Sequence, residues 1–123
     1  MKTLIIDDEI DICYLLSGIL KQKGCLTNYV NNLADAVVAL KNADPAVVFL
    51  DNHLPDGLGV DFAAEIKKNY PATKIVMITA YDTIEDRQQA FKKGVDLFIP
   101  KPFSKEAIIN ALASFQSDSI PQL

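Results

Sequence analysis

Five side chains in this 123-residue sequence could do chemistry together: Asp7, Asp8, Asp51, Thr79 and Lys101. Each ends or follows a short apolar run, with LII before Asp7-Asp8, VVFL before Asp51, VMI before Thr79 and LFIP before Lys101. Carboxylates crowded at one place repel, which raises their pKa values or loosens the fold. A hard divalent cation such as Mg2+ relieves that repulsion, because it takes oxygen ligands, keeps several waters and needs only one or two carboxylates beside phosphate oxygens. A lone carboxylate is a weak nucleophile, yet it can form an acyl phosphate once a metal and a cation neutralise the incoming phosphoryl oxygens. Lys101 can supply that cation, and the Thr79 hydroxyl can hydrogen-bond a phosphoryl oxygen. Plainer readings stand beside these. Asp7, Asp8 and above all Glu9 suit the first turn of a helix. Asp51 suits a solvated turn, Lys101 a surface beside a turn, and Thr79 the end of an ordinary strand.

The elements that must position these groups are legible as two alternating periods. Short apolar, β-branched runs occur at 2–6, 46–50, 74–78 and 95–99, with a weaker one at 26–30. Unbroken apolar runs of this length are typical of strands buried on both faces. Helical spacing fills the intervals. Residues 10–23 place Ile12, Leu15, Leu16, Ile19 and Leu20 on one stripe before Gly24, and 33–42 place Leu33, Ala36, Val37 and Leu40 before Asp44-Pro45. Residues 60–69 carry Phe62, Ala63 and Ile66, while 83–93 carry Ile84, Arg87, Ala90 and Phe91 before Gly94. The last helix is expected over 104–115, with Ser104 as a simple N-cap. Five strands alternating with five helices imply a parallel sheet, right-handed crossovers and helices on both faces. Ligands bind such sheets at the carboxyl ends of the strands, where all five chemical residues fall.

Composition bounds the function. One domain's worth of chain can bury roughly two thirds of its unfolded surface without staples. Acidic residues outnumber basic ones 16 to 12, for a net charge of −4. That balance disfavours direct nucleic-acid binding, which needs a Lys/Arg surplus on some face. Cys13 and Cys25 fit no disulfide framework, metal motif or CxxC redox motif, and read as small hydrophobes or partly exposed thiols. The first residues, MKTLIIDDEID, do not suit a signal peptide, and no apolar stretch approaches the ~20 residues of a membrane span. A cytoplasmic location without membrane partners is the expectation. Residues 117–123 are read as a tail or the start of a linker, after a domain at 1–116.

Taken together, Asp7-Asp8, Asp51 in FLDNHLPDGLG, Thr79-Ala80 in VMITA and Lys101-Pro102-Phe103 in FIPKPF resemble the receiver domains of two-component response regulators, of the chemotaxis-regulator type. The resemblance covers about residues 2–116. It implies an α/β, flavodoxin-like (βα)5 fold, doubly wound around a five-stranded parallel sheet in the order 2-1-3-4-5. It implies that Asp51 accepts a phosphoryl group from a histidine kinase, a phosphotransfer protein or a small phosphodonor. Asp7, Asp8 and Asp51, with the backbone carbonyl of His53, would hold Mg2+. Thr79 would be the switch hydroxyl, Lys101 the phosphate-binding cation in a cis Lys101–Pro102 unit, and Phe98 the switch aromatic. His53, the only histidine, and Tyr81 would tune the lifetime of the phosphoryl group from the rim of the pocket.

The domain would act in signalling and not as an enzyme with its own substrate, apart from self-catalysed phosphotransfer and dephosphorylation. Its fourth helix, fifth strand and fifth helix would form the switched surface and a dimerisation face toward an unknown output. Three alternatives remain. A Mg2+-dependent aspartyl phosphohydrolase would carry DxD after its first strand and a cap over the substrate. A flavin-binding domain would need a Ser/Thr/Gly-rich first loop. A degenerate receiver would act as an interaction module without phosphorylation. The stretch Asp56-Gly57-Leu58-Gly59 reads as a turn before the next helix, since it lacks the lysine of a phosphate loop.

Overall fold

The computed structural model describes residues 1–119, with side chains described through residue 116. Five strands form one parallel sheet: β1 (Lys2–Ile6), β2 (Leu26–Val30), β3 (Val47–Leu50), β4 (Lys74–Thr79) and β5 (Leu97–Pro100). Their order is β2-β1-β3-β4-β5, the expected flavodoxin-like arrangement. Helices α1 (Ile10–Gln22), α2 (Leu33–Ala43), α3 (Gly59–Asn69), α4 (Ile84–Lys92) and α5 (Lys105–Ser119) connect or follow them. The last helix therefore runs beyond the expected end at Phe115, and the remainder of the anticipated tail, 120–123, lies outside the described residues.

The side-chain period of two along each strand divides the core between the two faces of the sheet. Leu4, Ile6, Val48, Leu50, Ile75 and Met77 meet α2, α3 and α4 through Leu40, Phe62, Ile66 and Ala90. Ile5, Val47, Phe49, Val76 and Ile78 meet α1 and α5 through Leu16, Leu20, Ile108 and Leu112. Burying each such side chain contributes about 1.5–3 kcal/mol, so β1, β3 and β4 are fixed from both sides. Edge strand β2 is mostly exposed, which is why its apolar run is the weak one. Strand β5, at the opposite edge, is half-buried throughout and begins two residues later than its apolar run suggests.

Three helix faces differ from the sequence reading. The inward stripe of α1 is Cys13, Leu16, Ser17 and Leu20 with Ile19, while Leu15 faces out. Positions 13, 16, 17 and 20 repeat at the helical period, and the small Cys13 and Ser17 let α1 sit close to the sheet. In α2, Val37 is exposed although its neighbours Ala36 and Leu40 are buried. In α4 only Ala90 of the four expected residues is buried, while Ile84 and Phe91 are exposed. Both cysteines are buried and unpaired, the packing alternative of the two considered. The expected cap at Ser104 is present, accepting the Ala107 N–H at the start of α5, and Thr83 and Asp86 form a capping box on α4 that the sequence reading does not include. The turn before α3 adds a two-residue antiparallel ladder, His53–Leu54 against Gly57–Leu58.

Candidate functional site

Parallel pairing brings the chemical residues together. Ile6 pairs with Leu50 and Leu50 with Met77, so the chain leaves β1, β3 and β4 side by side toward Asp7, Asp51 and Thr79. The Asp51 N–H donates to the Ile6 carbonyl at 2.9 Å, extending the ladder by one residue past the strand end. At the other side, the Lys101 N–H donates to the Thr79 carbonyl at 2.8 Å, which returns the lysine to the same end of the sheet. The Lys101–Pro102 bond is cis, as the resemblance implies.

One ammonium faces three carboxylates. Lys101 Nζ lies 2.8 Å from Glu9 Oε1, 2.9 Å from Asp7 Oδ2 and 3.7 Å from Asp51 Oδ2. One carboxylate oxygen from each of Asp7, Asp8, Glu9 and Asp51 lies within 4.8 Å of the others. This all-oxygen, strongly anionic set suits a hard divalent cation such as Mg2+ and offers nothing to a thiophilic metal. Asp7 and Asp51 are almost fully buried, whereas Asp8 and Glu9 open to solvent.

The burial has an electrostatic signature. Desolvation, reinforced by the charge of Asp7, pushes the Asp51 carboxyl up to about 6, even though Lys101 and the Asn52 N–H oppose the shift. Asp7 is raised by the same desolvation, only partly countered by the Glu9 N–H and Lys101. Burial alone would lower Lys101, but its bonds to Glu9 and Asp7 and the charge of Asp51 outweigh that, so its pKa is raised and it stays cationic. Two carboxyls held above their ordinary range beside a secured cation mark a site that lacks positive charge.

Neighbouring contacts fix the frame. Asn31 Nδ2 donates to the Asp7 carbonyl at 2.8 Å, and the Cys13 thiol donates to the same oxygen. Asn52 gives its N–H to Asp51 Oδ1 at 2.8 Å and accepts the Val60 N–H on its side-chain oxygen, which ties the loop after β3 to the first turn of α3. Gly59 is needed there, since a Cβ would stand 2.2 Å from the Asp51 carbonyl oxygen. Asp56 accepts the Leu33 and Ala34 N–H groups at the start of α2, so the presumed turn is also a clasp between loop and helix.

The remaining predicted residues lie around this cluster. Thr79 is buried, and its Oγ1 accepts the Tyr81 N–H at 3.2 Å. The His53 and Tyr81 rings lie against each other, their centroids 3.9 Å apart and their planes tilted by 38°. Phe98 stands apart from the acids, half-buried against the α2–α3–α4 face of the core and beneath the Arg87 guanidinium. Sequence reasoning undervalued Glu9: it is the N-cap of α1 but makes no capping bond, and its carboxylate turns to Lys101. The third acid of the D-D-E run was the available signal. A surface hollow of about 730 Å3 beside β2 lies away from these residues.

Comparison with known proteins places this geometry in context. The family model of the response regulator receiver domain matches residues 3–113. The chain is 37% identical over 101 residues to the response regulator protein PilR of Pseudomonas aeruginosa, covering 82% of the chain and 23% of PilR. It is 30% identical over 112 residues to the chemotaxis protein CheY of Halobacterium salinarum, covering 91% of the chain and 93% of CheY. The crystal structure of the receiver domain of NtrX from Brucella abortus superposes with a TM-score of 0.87 at 33% identity, covering 94% of this chain and 98% of that one. The chain spans less than half the length of some of the curated relatives it matches.

Proposed function

The chain belongs to the response regulator receiver domain family, and on that premise we propose that Asp51 accepts a phosphoryl group in a Mg2+-dependent transfer from a histidine kinase or phosphotransfer protein. The observation that carries this reading is the clustering of Asp7, Asp8, Glu9 and Asp51, three of them facing Lys101, with Asp51 and Asp7 buried. Asp51 Oδ1 is engaged by the Asn52 N–H, which leaves Oδ2, beside Lys101, as the attacking oxygen. The new Oδ2–P bond forms as the bond from phosphorus to the leaving group breaks, and the electron pair departs with that group.

Asp7, Asp8, Asp51 and the His53 carbonyl would hold Mg2+, with Glu9 close enough to add its charge. Bound there, the ion supplies charge neutralisation for the transferring phosphoryl oxygens. Lys101 would move from Glu9 and Asp7 to a phosphoryl oxygen, a short step because it already faces Asp51. Thr79 would donate its hydroxyl to another, and the His53–Tyr81 pair would set access of water to the acyl phosphate.

The conformational readout would be the face of α4, β5 and α5, where Thr79 and Phe98 act as switch residues. The exposed Ile84 and Phe91 of α4 give that face apolar area for a homodimer or an output partner. Membership of the family supports a cytoplasmic signalling role. Among the described residues, no helix is long and apolar enough to cross a membrane.

The test is the intact mass after incubation with a small acyl-phosphate donor, with and without Mg2+, beside Asp51→Asn. A Mg2+-dependent gain of one phosphoryl group, absent in the variant, is expected. No gain in a folded protein sinks the reading in favour of an interaction module that works without phosphate.

A further inference from the structure

Arg87 makes two contacts that nothing in the acceptor chemistry requires. Its Nε donates to Asp82 Oδ1, and its guanidinium carbon lies 5.1 Å from the centroid of the Phe98 ring. A planar guanidinium can do both at once, using an edge for the carboxylate and a face for the ring. The two partners belong to different parts of the molecule. Asp82 lies in the short connection between β4 and α4, three residues after Thr79, whereas Phe98 lies in edge strand β5.

The connection is tied to Thr79 directly, because the Tyr81 N–H donates to Thr79 Oγ1. Its other end is anchored by the capping box of Thr83 and Asp86 at the start of α4. If Thr79 is drawn toward a phosphoryl group, the Tyr81 bond is lost and the segment carrying Asp82 shifts with it. Arg87 cannot then keep both Asp82 and Phe98 where they now stand. Phe98 has no hydroxyl, so hydrogen bonding cannot register where its ring sits. The guanidinium contact can.

Building on the receiver reading, we propose that Arg87 is a positioning residue that couples Thr79 to Phe98. Its clasp on Asp82 and on the ring holds the present arrangement of the β4–α4 connection, and release of the clasp on phosphorylation frees the ring and the α4–β5 surface to rearrange.

The experiment titrates the full chain with beryllium trifluoride, a phosphoryl mimic, in the presence of Mg2+, following backbone amide signals of residues 79–92 by NMR. Arg87→Met, which keeps the stem and removes the charge, is expected to lower the midpoint roughly two- to fivefold, the scale of an exposed cation–π contact. Arg87→Lys falls between it and the parent. In a Phe98→Leu background, Arg87→Met leaves the midpoint unmoved. A purely structural Arg87 would change stability in urea and leave every midpoint in place. The proposal is overturned by an unchanged midpoint in folded Arg87→Met, or by the same shift with and without the Phe98 ring. A parent chain that does not respond at all overturns the receiver reading itself, and the two failures are thereby distinguished.

Discussion

Two lysines bind carboxylates at opposite ends of the sheet, in very different electrostatic company. At the amino ends of β4 and β5, Lys67 of α3 meets Asp96 at 2.8 Å and donates to the Thr73 carbonyl at 2.6 Å. Asp96 also accepts the Ile75 N–H at 2.8 Å. One cation meets one anion, and the spare capacity of each goes to the backbone. At the carboxyl ends, Lys101 alone faces Asp7, Glu9 and Asp51, with Asp8 adjoining. The Lys101 pairs with Asp7 and Asp51 are also the more deeply buried: the side chains of Lys101, Asp7 and Asp51 are 10%, 3% and 7% exposed, against 23% and 27% for Lys67 and Asp96. Charge is balanced where the structure has only to hold. It is unbalanced, and partly buried, at the mouth where Mg2+ is proposed to bind.

The sharpest way to break that contrast is to remove each lysine. Lys101→Met strands the buried carboxylates of Asp7 and Asp51, and losing one partner of a buried pair typically costs 3–5 kcal/mol. A loss of about 3 kcal/mol in urea unfolding at pH 7 is expected, partly restored by Mg2+, with phosphorylation slowed about 10²- to 10³-fold. Lys67→Met removes a half-exposed pair and one bond to a carbonyl, so about 1 kcal/mol is expected, with phosphorylation unchanged. Equal losses for the two variants would mean that the mouth is no more strained than the clasp.

Removing an acid from the mouth has the opposite sign. The Asp51 carboxyl titrates near 6 when folded, against an ordinary value of 3.8. Between those values the native state holds a proton that the unfolded chain has lost, so stability falls as pH rises through about 4 to 6. Asp51→Asn never carries that charge. In Mg2+-free buffer it should exceed the parent by about 1–3 kcal/mol at pH 7 to 8, and the advantage should vanish below pH 4, where both states of the parent are protonated. Denaturation midpoints across pH check this. A variant less stable than the parent at pH 7 would show that Asp51 is held by favourable contacts and not against its own desolvation.

The contrast also explains what could be read before the structure. The central strands β1, β3 and β4 and the ends that carry Asp7, Asp51 and Thr79 follow from local apolar runs, because burial on both faces demands them. The edge strands give weaker runs, and the strand order comes from the family resemblance. Faces of helices were less legible. In α1, both Leu15 and Cys13 fit an apolar stripe, and only the sheet's geometry selects Cys13. The Arg87–Phe98 contact joins residues on separate elements, and no periodicity within either element reports it.

Glu9 tests the smallest effect, and it concerns the residue that sequence reasoning most undervalued. Its side chain is 59% exposed, and its bond to Lys101 at 2.8 Å is the outermost of the three. Exposed pairs contribute little to stability, so Glu9→Gln should leave the unfolding midpoint unmoved within error. Its charge is another matter. One exposed anion beside a divalent ion, in a water-like dielectric and partly screened by salt, shifts binding by about three- to tenfold. Half-saturation for Mg2+ in the phosphorylation reaction should rise by that factor. It should rise less at high salt, because Glu9 lies where solvent ions reach it. An unchanged Mg2+ requirement would reduce Glu9 to a parking place for Lys101. A fall in stability equal to that of Lys101→Met would instead place it among the buried acids, against its exposure.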